Sequence, residues 1–306
     1  MCSSKIKYWN MQKIVLGLLL VIVSQIGYAQ DDLLSLVDKN DTIKKERVTN
    51  AFKSSRVING HSIEFLGKGV LDVRILHRFG EVSSGVSNLF GLDQASMRFG
   101  LDYGVLNKLT IGFGRSNIGK ELDGFIKYCP VWQSTGPGSF PFSIVLVSGV
   151  TLGTQTWSDT TRKNYFSSRM AFYNELILGR KFSDRFSLQL APVFIHRNLV
   201  QLATDENDVY ALGIGTRFKL SKRIAFVADY HYIVKGLDKK VYKDPLSVGF
   251  DIETGGHVFQ LHFSNATGMN EKAFITNTTG DWAKGEVRFG FNLSRVFTVR
   301  KSHRSF

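Results

Sequence analysis

The sequence predicts an all-β protein: a single antiparallel transmembrane β-barrel of about twelve strands, with short periplasmic turns and longer extracellular loops. Three observations predict it. From Lys68 onward, apolar and polar residues alternate with period two over segments of about 10 to 14 residues, the length of a tilted membrane strand rather than of a globular-sheet strand. Short and long connections take turns along most of the chain. The N-terminus reads as an export signal.

The strands come first. In Val70–Gly80, Leu71, Val73, Ile75, His77 and Phe79 share one face, and Asp72, Arg74 and Arg78 take the other. Next, Ala95, Met97, Phe99, Leu101 and Tyr103 oppose Gln94, Ser96, Arg98, Gly100 and Asp102. Later, Ile224, Phe226, Ala228, Tyr230 and Tyr232 oppose Arg223, Asp229 and His231; near the end, Val287, Phe289, Phe291 and Leu293 oppose Glu286, Arg288, Gly290, Asn292 and Ser294. Strict alternation means half-buried strand. In a soluble sandwich the apolar face would point inward; in a membrane barrel it meets lipid, and the glycine-rich, mixed-charge face lines a lumen. Strand length and the export signal favour the barrel. Phe142–Leu152 is apolar on both faces, so period leaves its orientation open, and at eleven residues it is too short for a spanning helix.

Short turns are expected near Leu106-Asn107-Lys108, Ser183-Asp184, Ser221-Lys222 and Thr254-Gly255-Gly256. Long polar links run from Gly80 to Gly91, Gln155 to Ser167, Asn198 to Asp208, Lys235 to Pro245 and Thr267 to Lys284. Two links break the rule: Ser116–Lys120 is short where a long one is expected, and Gln133–Pro141 the reverse. Counting hairpins gives about twelve strands with both ends in the periplasm, with ten or fourteen as alternatives.

Lys5, Lys7 and Lys13 precede the ten-residue apolar run Ile14–Val23, and Gly27-Tyr28-Ala29 offers small residues for cleavage before Gln30, so residues 1–29 read as a signal peptide. Removing those three lysines lowers the formal +13 to +10. An exported chain with dispersed charge does not point to nucleic acid; a basic lumen or contacts with outer-membrane lipids fit better. Cys2 leaves with the signal, and the remaining Cys129 forms no internal disulfide. No Cys/His spacing signals a metal or haem, and no cofactor is expected. Residues 30–62 form a polar N-terminal periplasmic extension, either a disordered tail or a segment folded into the barrel mouth. Residues 63–299 form the barrel, and 300–306 a basic C-terminal tail. Trp132, Trp157 and Trp282 fall at strand ends or loops, as interfacial belts require.

Four stretches carry a resemblance: NGHSIE (Asn59 to Glu64), GKGVLDVRILHRFG (Gly67 to Gly80), LDYGV (Leu101 to Val105) and ETGGHVFQLHFSNATGMNE (Glu253 to Glu271). Together they resemble a Bacteroidota outer-membrane β-barrel family of unknown function (DUF5777-like). The resemblance covers most of the chain from about residue 50. It implies an outer-membrane barrel and supplies no activity, ligand or catalytic residue.

Two constellations bear on chemistry. His262-Phe263-Ser264-Asn265 puts His262 and Ser264 on one strand face, as a base and hydroxyl nucleophile would need, and outer-membrane lipid A deacylases and phospholipases look like this locally. Glu271 or Asp281 would then orient the base. Against this, Phe259, Leu261 and Phe263 form the apolar face, so the pair should face the lumen rather than lipid. The leading reading is a lumen-lining polar pair, and lipid hydrolase is the alternative. The second constellation is the charge expected on the inner face: Asp72, Arg74, Arg78, Arg98, Asp102, Lys127, Arg169, Arg217, Lys219, Asp229, His231, Glu286 and Arg288. These either pair and plug a small barrel or form a narrow basic constriction for small anionic solutes. The functional expectation is a non-enzymatic outer-membrane barrel: a narrow pore, or a structural or accessory barrel with a periplasmic or surface protein partner. The glycines near Gly112-Phe113-Gly114 lack the lysine and helix of a phosphate loop.

Overall fold

The period-two segments become the wall of a closed twelve-stranded antiparallel barrel. The structure is a computed structural model that describes residues 44–300, apart from 158–159, 162, 201, 203 and 255–256. Residues 1–29, read above as a signal peptide, the first part of the extension, Gly255-Gly256 and residues 301–306 of the tail lie outside the described residues. The strands are β1 (Val70–Glu81), β2 (Ala95–Leu106), β3 (Leu109–Ser116), β4 (Glu121–Val131), β5 (Ser143–Gly153) and β6 (Met170–Lys181). They continue as β7 (Phe186–Arg197), β8 (Asp208–Lys219), β9 (Ile224–Lys235), β10 (Leu246–Thr254), β11 (His257–Ser264) and β12 (Arg288–Thr298). Each pairs with its sequence neighbours, and β12 closes on β1 from Thr298↔Val70 to Arg288↔Glu81. Closure removes every free sheet edge, as a wall in hydrocarbon requires.

Alternation sets the faces as the sequence reading has them. Along β2, Met97, Phe99 and Leu101 are exposed outward while Ser96, Arg98 and Asp102 are buried in the lumen. The structure also orients β5: Ser143, Val145, Val147 and Thr151 point inward, and Leu146 and Ser148 outward. The inner face of β5–β9 is largely apolar, a departure from the glycine-rich, mixed-charge lumen expected. Val147, Tyr173, Ile177, Val193, Ile195 and Ile233 form a buried core there.

Connections alternate between two ends. One end carries the turns at 107–108, 182–185 and 220–223, the 132–142 link and both ends of the barrel chain; the other carries the long loops. The link 132–142 is long at the short-turn end because it does more than turn. Ser134 and Thr135 pair with Arg47 and Glu46 ahead of the barrel, and the Arg47 guanidinium stacks 3.3 Å from the Trp132 ring centroid. The opposite exception, 117–120, is a tight turn with Gly119 at φ 62°.

Two segments fill the interior. From the short-turn end, residues 51–63 enter as a narrow hairpin, here termed the tongue: Val57 N–H donates to Gly60 O at 2.9 Å and Ser62 N–H to Ser55 O at 3.0 Å. The part of the polar extension that lies among the described residues thus includes a segment folded into the barrel. The boundary read at residue 63 moves to Val70, because Ile63 packs inside with the tongue. From the long-loop end, the β11–β12 loop folds inward as the short helix α1 (Glu271–Thr276), whose first turn is capped by the Asn270 side chain accepting from Ala273 N–H at 2.8 Å.

Candidate functional site

The site is the filled lumen, and the tongue is its centre. A hairpin inside a barrel has no sheet partner for its outward backbone groups, so wall side chains must supply them. Gln260 donates to Val57 O (2.6 Å), Asn292 to Ile58 O (3.1 Å) and Gln189 to His61 O (2.6 Å), while Gln189 Oε1 accepts from Ile63 N–H (3.1 Å). The Asp229 carboxylate accepts both turn amides, Asn59 N–H at 2.8 Å and Gly60 N–H at 2.9 Å. Lys127 Nζ donates to Ser55 O and Glu64 O at 3.1 and 2.7 Å. Wall glycines make the space. A Cβ on Gly179 would lie 2.5 Å from Ile63, and one on Gly215 2.8 Å from Val57.

Tongue and loop meet at mid-lumen. Arg56 Nη1 donates to Glu271 Oε1 at 2.5 Å and to Asn59 O at 2.7 Å. His61 Nε2 is 3.2 Å from the same carboxylate oxygen. The same ring nitrogen lies 3.4 Å from the Tyr173 hydroxyl of the wall. Around this junction the fully buried cations Arg78, Arg98 and Lys127 are each 0% exposed. Arg98 is bidentate on Asp123 across β2 to β4, with Nε at 2.9 Å. Arg78 reaches Ala266 O (2.9 Å), Gly268 O (2.7 Å) and the Asn59 side chain, binding wall, loop and tongue together. On the apolar side Phe274 and Ile275 of α1 join the core of β5–β9.

The inner-face charges divide. Asp72, Arg74, Arg78, Arg98, Asp102, Lys127, Arg217, Asp229 and His231 are buried in the lumen, and Lys219 sits at its short-turn mouth. Three residues are elsewhere. Arg169 lies in a turn before β6 at the long-loop end, 4.4 Å from the Trp157 ring and bonded to Gly153 O at 3.3 Å. Glu286 precedes β12 and accepts from Asp281 N–H at 2.9 Å within the loop. Arg288, at the end of β12, binds Glu81 and Asn265 O at the rim. For Arg169 and Glu286 alternation was extended past the true strand ends, and Arg288 is the first residue of β12. Asp123, Glu175 and Asp251 also line the lumen and were missed, although Glu121, Asp123, Phe125 and Lys127 show the same period. Arg56 and His61 carried no periodic signal.

His262 and Ser264 are buried in the lumen at 1% and 0% exposure. The Ser264 hydroxyl accepts from Ser247 Oγ at 2.7 Å and from Ala266 N–H at 3.1 Å, and His262 Nε2 lies 3.3 Å from Arg78 Nε. Asn265 is a loop clamp, taking Leu246 N–H and donating to Asp244 O and Gly280 O. The arrangement holds the loop onto β10, with the Ser264 hydroxyl engaged by Ser247 and Ala266 and the His262 ring beside Arg78. Among the described residues no group of three or more His, Cys, Asp or Glu side chains could hold a metal ion.

Charge differs sharply between the two ends. At the short-turn end the bases are Lys45, Arg47, Lys53 and Lys68 before the barrel, Lys108, Arg185, Lys222, Arg223 and Arg300 in connections, and Arg180, Lys181, Lys219 and Arg295 at strand ends. The acids there are Glu46, Glu64, Asp184 and Glu253. At the long-loop end bases meet carboxylates: Lys235–Glu206 (3.2 Å), Lys272–Glu121 (2.6 Å), Lys243–Asp281 (3.8 Å), Arg197–Asp205 (3.9 Å), Lys239–Asp244 and Arg288–Glu81. The net positive charge thus resides mainly at the short-turn end.

Among solved structures the chain is similar to the NanC porin (8% identity, 74% of this chain and 98% of that one, TM-score 0.46) and the KdgM porin (11%, 74% and 98%, 0.44). It is also similar to the outer membrane phospholipase A from Escherichia coli (10% identity, 74% and 92%, TM-score 0.37). No curated protein matches the sequence. The family described as "Membrane bound beta barrel domain (DUF5777)" matches residues 52–297, which takes in the tongue, the wall and the inward loop. The chain therefore belongs to that family of membrane-bound β-barrels.

Proposed function

We propose that this protein is an outer-membrane barrel that is sealed at rest and serves as a structural or accessory component, not as an open solute pore. The short-turn end lies in the periplasm and the long loops outside, following the export signal and the asymmetry of the connections. The observation that carries the reading is the meeting of tongue and loop at Arg56, His61 and Glu271. A narrow selective pore needs a water path past mid-lumen, and buried arginine, lysine and apolar side chains occupy that level. Small anionic solutes are then not the cargo of the resting state. A sealed barrel presents its two ends to partners, and the chain ahead of the tongue emerges on the periplasmic side, where a protein partner would reach it.

Planar-bilayer recording of the purified protein tests the proposal. The expected trace is silent at all applied voltages. Steady anion-selective openings from the intact chain would establish the pore instead.

A further inference from the structure

The geometry points to a binding site for an anionic phospholipid on the outer wall of β4–β8, with its headgroup at the short-turn end. Arg180, Arg185, Lys222 and Arg223 lie on the neighbouring β6–β7 and β8–β9 hairpins, and the backbone bond from Lys219 N–H to Arg185 O at 2.7 Å brings the two turns together. None of these four has an ion-pair partner among the described residues, whereas Arg197, Lys235, Lys239, Lys243, Lys272 and Arg288 of the long-loop end are paired within the chain. Lys53 and Lys181 at this end do find carboxylates, Glu253 and Asp184, so the four cations left on adjacent hairpins form a local patch suited to an anion from outside. Arg180 fixes the depth: it leaves the outer face of β6 and lies 5.5 and 5.1 Å from the rings of Phe142 and Phe182. Guanidinium beside the exposed Phe182 and the half-buried Phe142 on a lipid-facing wall marks the headgroup level.

Above this cluster the wall is concave. A groove of about 850 Å³ is lined by Ile126, Leu146, Leu176, Phe194 and Tyr210, with Ser148 and Asn174 facing each other across β5 and β6. Leu176 and Arg180 share a strand four residues apart, roughly 13 Å at ~3.3 Å per residue. That is within the ~15 Å of one leaflet's hydrocarbon, so the Leu146–Leu176 part of the groove is in reach, whereas Phe194 and Tyr210 lie nine residues, roughly 30 Å, from the β6–β7 and β8–β9 turns. One lipid can therefore place its phosphate among the arginines and an acyl chain in the Leu146–Leu176 part of the groove. The ligand is a membrane phospholipid rather than free phosphate, because the groove adds an apolar requirement. That it comes from the inner leaflet rests on the topology proposed above; the headgroup preference does not.

The test is lipid retention by the purified full chain in detergent, read by native mass spectrometry with phosphatidylglycerol and phosphatidylcholine of matched chains. Phosphatidylglycerol is expected to be retained at least tenfold over phosphatidylcholine. The preference should fall about fivefold for each charge removed in Arg180→Gln, Arg185→Gln, Lys222→Gln and Arg223→Gln. Lys235→Gln, Lys239→Gln and Lys240→Gln at the other end should leave it unchanged, and Asn174→Trp should lower retention of both lipids by filling the groove. Heat-modifiable gel migration checks each variant's folding; if combined changes unfold the barrel, the single exposed-turn variants Lys222→Gln and Arg223→Gln decide. Equal retention of the two lipids, or equal loss from the long-loop variants, overturns the site. Inorganic phosphate competing as well as the lipid would show a phosphate site and overturn the phospholipid assignment. Channel openings would remove the sealed-lumen proposal and leave this result standing.

Discussion

Glu271→Ala is the sharpest probe of the plug. It deletes the carboxylate that receives Arg56 at 2.5 Å and leaves that guanidinium buried with only Asn59 O as acceptor. Both side chains are essentially inaccessible, 0% for Arg56 and 2% for Glu271. Removing one partner of a buried pair costs about 3–5 kcal/mol because the other charge stays uncompensated. The cheapest relief is withdrawal of the tongue, since the closed wall is held separately by its own ladder. At ~1.4 kcal/mol per tenfold, the withdrawn population should rise by roughly two to three and a half orders of magnitude. Hydrogen exchange of residues 51–63 in detergent measures this, with strand amides of β8 as an unchanged internal standard. Arg56→Met/Glu271→Leu removes both charges and should recover most of the protection. Unaltered exchange in Glu271→Ala, or a double variant no better protected than the single, would refute the account of the junction as what holds the tongue.

Three other outcomes are expected. Gly179→Val should push Ile63 off the β6 wall, costing about 1–3 kcal/mol of tongue docking by overpacking and raising protease cleavage within 51–63, while the lipid-facing Leu178→Val should not. Asp229→Asn weakens the charge-assisted acceptance of the Asn59 and Gly60 amides; a loss of about 1.5–3 kcal/mol should appear as faster exchange at those two amides first. Cys129, 0% exposed with its thiol against Val131 O, should resist a membrane-impermeant maleimide in the folded barrel and label fully after denaturation.

Much of the barrel is legible in the sequence because a membrane wall imposes a local rule. Each residue of a spanning strand faces either lipid or lumen, so Met97, Phe99 and Leu101 against Arg98 and Asp102 write the geometry in period two. The same rule by itself puts His262 and Ser264 on the inner face, where they are buried. It fails where the constraint ends: Arg169 and Glu286 continue the alternation by residue type but lie beyond the strands, and Arg288 sits at the rim as the first residue of β12. It also says nothing of β5, where both faces meet apolar surroundings, lipid outside and the core with Ile63 and Phe274 inside.

What the sequence by itself determined is the wall: strand segments, their faces, the order of short and long connections, and the excess of positive charge. What only the tertiary structure decided is what the wall encloses. The tongue lacks a repeat because its backbone is satisfied one group at a time, by Gln189, Asp229, Gln260 and Asn292 from β7, β9, β11 and β12. Arg56 and Glu271 are 215 positions apart, and no local pattern links them. The positive charge is likewise visible as a sum, but its gathering at one end depends on which turns the closed barrel brings together. Periodicity records a continuous boundary with lipid; a plug held by scattered, long-range hydrogen bonds leaves no period to read.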